Sequence, residues 1–298
     1  MHLFIEVVLP VLLVFLTGFG LQKWKRLHIQ SVSTVALYVF VPCLVFRTIY
    51  EKDMDFRYFE MLVFALALLI ALITVIKITS LIKKYPQETE SGMILSTAFM
   101  NSGNYGVPVV LFAFGQHGFS YAVMYFVLQA MIMYSFGVYY AARGKAGILS
   151  AIRSVFAMPA TYAFVVGLLV KGFHIPIPDS AFSVIDLVGS AAIPCVMVVL
   201  GMQLAEIEIS GFRWGKITYA SILRLVVSPL IAWVLTLIIP MDPMLAKVLI
   251  VLSAMPSAAT TTMFAVQFKS EPRLVSSITL VTTLLSVFTV TGILIMLH

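Results

Sequence analysis

The chain has 298 residues, of which 61% are hydrophobic and only 11% charged, with a mean hydropathy of +1.05. A soluble domain carries about 25% charged residues, so the composition excludes a soluble globular protein and points to a polytopic membrane protein of the all-α class. The net charge of +6 sits in short loops between apolar runs, a pattern that excludes nucleic acid as a partner and fits the positive-inside signature of a protein embedded in a lipid bilayer.

Ten apolar segments follow in chain order: 3–21, 31–50, 58–82, 91–115, 119–142, 150–171, 181–205, 214–240, 243–268 and 274–297. Each is long enough to cross a hydrocarbon core of about 30 Å at about 1.5 Å per residue. The first lacks a basic leader and a small-residue cleavage site, so it reads as a retained helix and not a signal peptide. The second carries Pro42 and Cys43, and the seventh carries Pro194 and Cys195. Both cysteines lie in apolar runs, which indicates neither a disulfide nor a metal site.

The fourth segment is broken in its middle by "MNSGNYGVPVV", residues 100–110, with Asn101, Asn104, Gly106 and Pro108. These residues weaken or punctuate a helix. The expected halves are 91–101 and 107–115. The ninth segment is interrupted in the same way near Pro256, followed by Ser257, Thr260, Thr261 and Thr262. A broken helix in lipid strands backbone N–H and C=O groups at several kcal/mol each, so it is tolerated only against protein or a water-filled cavity. Pro108 and Pro256 suit the first turn of a half-helix. The breaks are therefore expected to place two positive helix ends at the membrane centre, an anion site built without a buried cation.

Other intramembrane polar residues have two readings each. Arg224 in the eighth segment is either part of the site or a donor to carbonyls freed by a broken helix. Asp186 in the seventh is either a coupling group or a structural charge. Arg47, Lys77, Glu206 and Lys247 lie nearer segment ends, where they snorkel. Glu6, His117 and His174 read as interfacial.

Loops after odd-numbered segments hold Lys23, Lys25, Arg26, Lys83, Lys84, Arg143, Lys145, Arg153, Arg213, Lys216, Lys269 and Arg273, whereas loops after even-numbered segments hold Lys52, Arg57 and Lys171. Twelve against three places the odd loops in the cytoplasm and both termini outside, in the cytoplasmic (inner) membrane. Sliding the chain by 152 residues lays Pro42-Cys43 on Pro194-Cys195 and Asn104 on Pro256. Five segments per half is an odd number, so a duplicated half, 1–142 against 150–298, would be inverted. Paired interruptions in two such halves point to the binding site of a secondary transporter. The sequence has no metalloprotease, nucleophile-elbow or Walker motif, and it implies neither an enzyme nor a cofactor or metal.

These features together resemble the auxin efflux carrier family, the plant PIN carriers and their bacterial relatives. The family pattern Asn-x4-Gly-x-Pro is present as Asn101, Gly106 and Pro108, and the Ala-x-Pro-x8-Ala-x-x-aromatic frame as Ala254, Pro256, Ala265 and Phe268. The second segment "TVALYVFVPCLVF" and the eighth "LRLVVSPL" resemble their family counterparts. The similarity spans all ten segments. It implies two inverted five-helix repeats, with helices 4 and 9 crossing at the midplane. It also implies a scaffold of helices 1, 2, 6 and 7 that supports a homodimer, and a transport group of helices 3–5 and 8–10 that moves as an elevator. By motif position, Asn101 is the crossing residue that meets a substrate carboxylate, with Asn104, Gly106, Pro108, Pro256, Ser257, Thr260 and Thr261 around it. The chain departs from the plant carriers in its short connection near residues 143–153 and in "MPATY", where Ala160 replaces an Asn. Bacterial relatives are associated with malate, malonate and other small organic anions. The expected function is secondary transport of such carboxylates. The alternatives are a sodium-coupled symporter resembling the bile acid/sodium family and a membrane sensor without flux.

Overall fold

The computed structural model describes residues 4–51, 57–142, 156–207 and 213–297. Lys52, Arg143, Lys145 and Arg153 of the loop-charge census lie outside these residues. The described chain is helical: α1 Phe4–Lys25, α2 Ile29–Glu51, α3 Arg57–Lys83, α4 Gln87–Ala98, α5 Ser102–Ala142, α6 Pro159–Gly172, α7 Asp179–Ala205, α8 Trp214–Ile238, α9 Pro243–Ser253, α10 Ala259–Phe268 and α11 Pro272–Leu297. Seven of these, α1, α2, α3, α5, α7, α8 and α11, are long and apolar enough to cross a membrane.

Prolines shape the long helices in a repeated way. Wide π turns at Phe4–Val8, Ala36–Phe40, Ser102–Gly106 and Leu223–Val227 each end two residues before a proline: Pro10, Pro42, Pro108 and Pro229. A proline inside a helix has no N–H, and its ring crowds the carbonyl four residues back. Widening the preceding turn relieves the crowding. Val41, Val107 and Ser228 then donate five residues back, to the carbonyls of Ala36, Ser102 and Leu223. In α5 the chain also turns sharply at Gly115, where φ is +63° and ψ −159°. That left-handed conformation is open to glycine at little cost, and it separates the expected fourth and fifth segments with a single residue.

The helices pack in two groups. In one, α1 lies along the second half of α7, and α2 packs on α6 and on the first half of α7. Glycines set how closely they approach. A side-chain carbon at Gly18 would stand 2.1 Å from the Val198 carbonyl oxygen, and one at Gly201 would stand 2.0 Å from that of Phe15. Small residues at helix interfaces let backbones meet where lipid offers no hydrophobic drive. In the other group, α3 packs on α4 and α8, α8 on α9 and α11, α4 and α10 on α11, and α5 on α9. Phe15 of the first group and Tyr105 of the second meet edge to face at 5.1 Å.

Candidate functional site

The two breaks meet. Helix α4 ends at Ala98 and leads into extended backbone at Phe99, whereas α9 ends at Ser253 in a turn at Ala254 before backbone that is extended at Ala258. These stretches run antiparallel, with Met100 paired to Ser257. The N–H of Asn101 donates to Pro256 at 2.8 Å, and the N–H of Ala258 donates to Phe99 at 3.0 Å. Backbone groups lost from two helices are thus satisfied by each other. Two expectations are corrected here. Winding resumes at Ser102 and not at 107, so Pro108 sits in the second turn, and the π turn accommodates it. Pro256 precedes α10, which starts at Ala259. It lies in the break and not in a first turn, and it contributes its carbonyl.

Arg224 is fully buried on α8 between the ends of α4 and α9. It donates to the carbonyl of Thr97 at 2.7 Å, to the carbonyl of Ser253 and to the hydroxyl of Ser228. Ser228 in turn donates to Ser253 at 2.9 Å. Carbonyls at a helix C-terminus carry partial negative charge and lack intrahelical partners. One guanidinium, with several fixed donors, caps both half-helices at once. The structure therefore places Arg224 as a clamp on freed carbonyls, the second of the readings open from sequence.

A cavity of about 210 Å³ lies beside the crossing. Its polar lining comes from both helix groups and includes Tyr38 of α2 and Gln203 of α7 on one side, and Asn101, Asn104, Gln129 and Thr260 on the other. Among the described residues, no Lys, Arg, His, Asp or Glu lines it. Asn101 is only 6% exposed, and its side-chain Nδ2 has no hydrogen-bond partner. A buried amide donor without a partner is costly to leave so. A second cavity of about 530 Å³ shares Gln30, Ser33, Gln203 and Met263 with the first. It extends to His28, Glu206 and Arg273, beside the connections that follow α1, α7 and α10.

Of the expected site residues, Asn101, Asn104 and Thr260 line the inner cavity. The others do not line it. A side-chain carbon at Gly106 would lie 2.6 Å from Leu252, so this glycine permits close packing of α5 on α9. Pro108 is buried. Ser257 is buried against α11, where its N–H meets the Thr282 hydroxyl at 3.3 Å and its hydroxyl meets that of Thr279 at 3.3 Å. Thr261 turns its hydroxyl back to the carbonyl of Ala258 at 2.7 Å. Thr262 lines the outer cavity. Asp186 is half exposed and is paired with Arg47, which also reaches Ser190 at 3.2 Å. That pair joins α2 to α7, away from the lining of either cavity. Sequence reasoning missed Gln129 and Gln203. A single Gln in an apolar segment carries no local helix-breaking signal, and only its membrane position distinguished it.

Glu271 marks the turn between α10 and α11. It pairs with Arg213 and accepts from Thr89 at 2.9 Å. Burial pushes its carboxyl up, but the bonds from Arg213 and Thr89 and the charges of Arg213 and Lys216 outweigh this and hold it below its ordinary value.

The model of the membrane transport protein family matches residues 3–154 and 147–294. An uncharacterized transporter of Methanocaldococcus jannaschii is 27% identical over 300 residues, covering 96% of each chain. An uncharacterized transporter of Methanothermobacter thermautotrophicus is 27% identical over 292 residues, covering 94% of each. With apolar helices that span a bilayer and a family match across nearly its whole length, the chain belongs to the membrane transport proteins of the auxin efflux carrier family.

Proposed function

We propose that this protein is a secondary transporter that carries small organic anions, carboxylates of the malate, malonate or auxin-like kind, across the cytoplasmic membrane. The observation that carries this reading is the unpartnered, buried Nδ2 of Asn101 beside a cavity between two broken helices. An amide can bind a carboxylate without the cost of a buried cation. The first turn of α5, from Ser102, adds free N–H groups and the positive end of a helix dipole.

In this reading the ten segments form two inverted repeats and the crossing lies near the membrane midplane. Both termini lie outside. The outer cavity, next to the basic connections, then opens to the cytoplasm, and the site is inward-facing. The group of α1, α2, α6 and α7 is the fixed scaffold, and it offers its lipid-facing side to a second copy. The remaining helices are the moving part. Clamped together by Arg224 and by the paired breaks, α4, α5, α9 and α10 are suited to shift as one body.

The test is uptake or exchange of labelled carboxylates by purified protein in liposomes, with sodium and pH varied. Accumulation of at least one carboxylate, lost on Asn101→Ala, is the expected result. Binding without flux would turn the reading to a sensor. Strict sodium dependence would turn it to a sodium symporter. A bifunctional thiol cross-linker joining Phe15→Cys to Tyr105→Cys, whose rings meet in the unmodified protein, should stop flux and leave binding intact; full transport with that cross-link formed would exclude the sliding motion.

A further inference from the structure

We propose that Gln203 is a specificity-determining residue, whose side-chain carbonyl accepts a hydrogen bond from a donor group on the ligand. This rests on the reading that the cavity beside the crossing is the ligand site. Among the described residues, two buried side-chain atoms without a partner belong to residues lining this one cavity: Nδ2 of Asn101, a donor, and Oε1 of Gln203, an acceptor. They sit on different helix groups, Asn101 at the start of α5 and Gln203 near the end of α7. A bare carboxylate is acceptor-only. It satisfies Asn101 and leaves Gln203 with an unpaired buried acceptor. A ligand that carries both a carboxylate and a hydroxyl, N–H or protonated carboxyl satisfies both atoms. A site with a buried polar group of this kind rejects an analogue that lacks its partner far more strongly than an apolar pocket discriminates by size.

The position of Gln203 adds to this. It lines the inner cavity and the outer one as well, so a ligand passes it on entry. A ligand held by Asn101 and Gln203 together bridges the two helix groups. Movement of one group past the other breaks the Gln203 bond and keeps the Asn101 bond. Gln203 therefore reads the ligand in this state alone.

The experiment measures binding of paired carboxylates that differ only in one donor: lactate against propionate, and malate against succinate. Purified wild-type protein is compared with Gln203→Leu, Gln203→Met and Asn101→Ala. The expected result is about tenfold tighter binding by the donor-bearing member of at least one pair to the wild type, the order set by one unpaired buried acceptor. Gln203→Leu and Gln203→Met should abolish that preference by weakening the donor-bearing member alone. Asn101→Ala should weaken both members. Gln203→Met preserves length without the amide, and the paired ligands delete the contact in the unmodified protein, so the outcome does not depend on how well Gln203→Leu folds. If carboxylates bind and Asn101→Ala weakens them, but the wild type shows no donor preference or the Gln203 variants keep it, the role of Gln203 is overturned and the site stands. If no carboxylate binds, or Asn101→Ala leaves binding unchanged, both readings fall.

Discussion

The backbone N–H of Asn101 donates to the carbonyl of Pro256 at 2.8 Å, so the amide expected to meet substrate is fixed in place by the break in the opposite half of the chain. The side chain of Asn101 takes no part in this bond. Its Nδ2 remains without a partner. We therefore predict that Asn101→Ala weakens carboxylate binding by about 1.5–3 kcal/mol, the contribution of a hydrogen bond to a charged group, which is on the order of 10- to 100-fold. Thermal stability without ligand should change little, because the backbone pairing is untouched. Asn101→Asp should bind more weakly still, since it sets a like charge against the carboxylate. Binding isotherms of the purified variants decide this, and wild-type affinity in both would remove the anion from the crossing.

Arg224 behaves differently, because its bonds are internal. Arg224→Met leaves the carbonyls of Thr97 and Ser253 without their cationic donor. We predict a loss of stability of about 3 kcal/mol or more, from two charge-assisted bonds, seen as a large fall in Tm in detergent. Arg224→Lys should retain part of it, because a single ammonium reaches fewer acceptors at once. If Arg224→Met keeps wild-type Tm and loses only ligand binding, Arg224 is a substrate contact and not a clamp.

Gly201 tests the close approach of α1 and α7. A methyl group there would stand 2.0 Å from the carbonyl oxygen of Phe15, and backbone cannot give way as a side chain can. Gly201→Ala should destabilise the protein by about 1–3 kcal/mol, as overpacking does. Gly215→Ala, where nothing lies within 4 Å, is the matched control. Equal Tm values for the two variants would contradict this packing.

Stability should depend on pH through Glu271. Its folded-state carboxyl lies below its ordinary value of 4.5. A depressed carboxylate contributes stability that is fully present above the unfolded value and is lost as pH falls through the folded one. The Tm difference between wild type and Glu271→Gln should therefore favour wild type at pH 6–7, hold down to about pH 4.5 and shrink below it. The effect is modest, because the pair is partly exposed and screened by solvent. A difference that grows on acidification would reverse the assigned direction.

Orientation is open to a labelling experiment. In protein with Cys43 and Cys195 replaced by Ala, cysteine at Ser180 should react with an impermeant thiol reagent from outside. Cysteine at Gln87, exposed at the start of α4, should react only from the cytoplasm. Opposite labelling would invert the assigned topology.

The sequence by itself determined the class of molecule, the course of the long apolar helices and the two interruptions. Hydropathy and helix length are local properties, and a run such as 58–82 becomes α3 Arg57–Lys83 whatever surrounds it. The Asn-x4-Gly-x-Pro motif likewise located the break within a few residues. Only the tertiary structure decided where the stranded backbone groups go. Asn101 and Pro256 are 155 positions apart in the chain, and no local pattern specifies that their breaks pair. Nor does one specify that Arg224 caps both half-helices while Thr261 and Ser257 face their own surroundings. Gln203 became visible as a candidate contact only when α7 brought it to the lining of the cavity that Asn101 also lines.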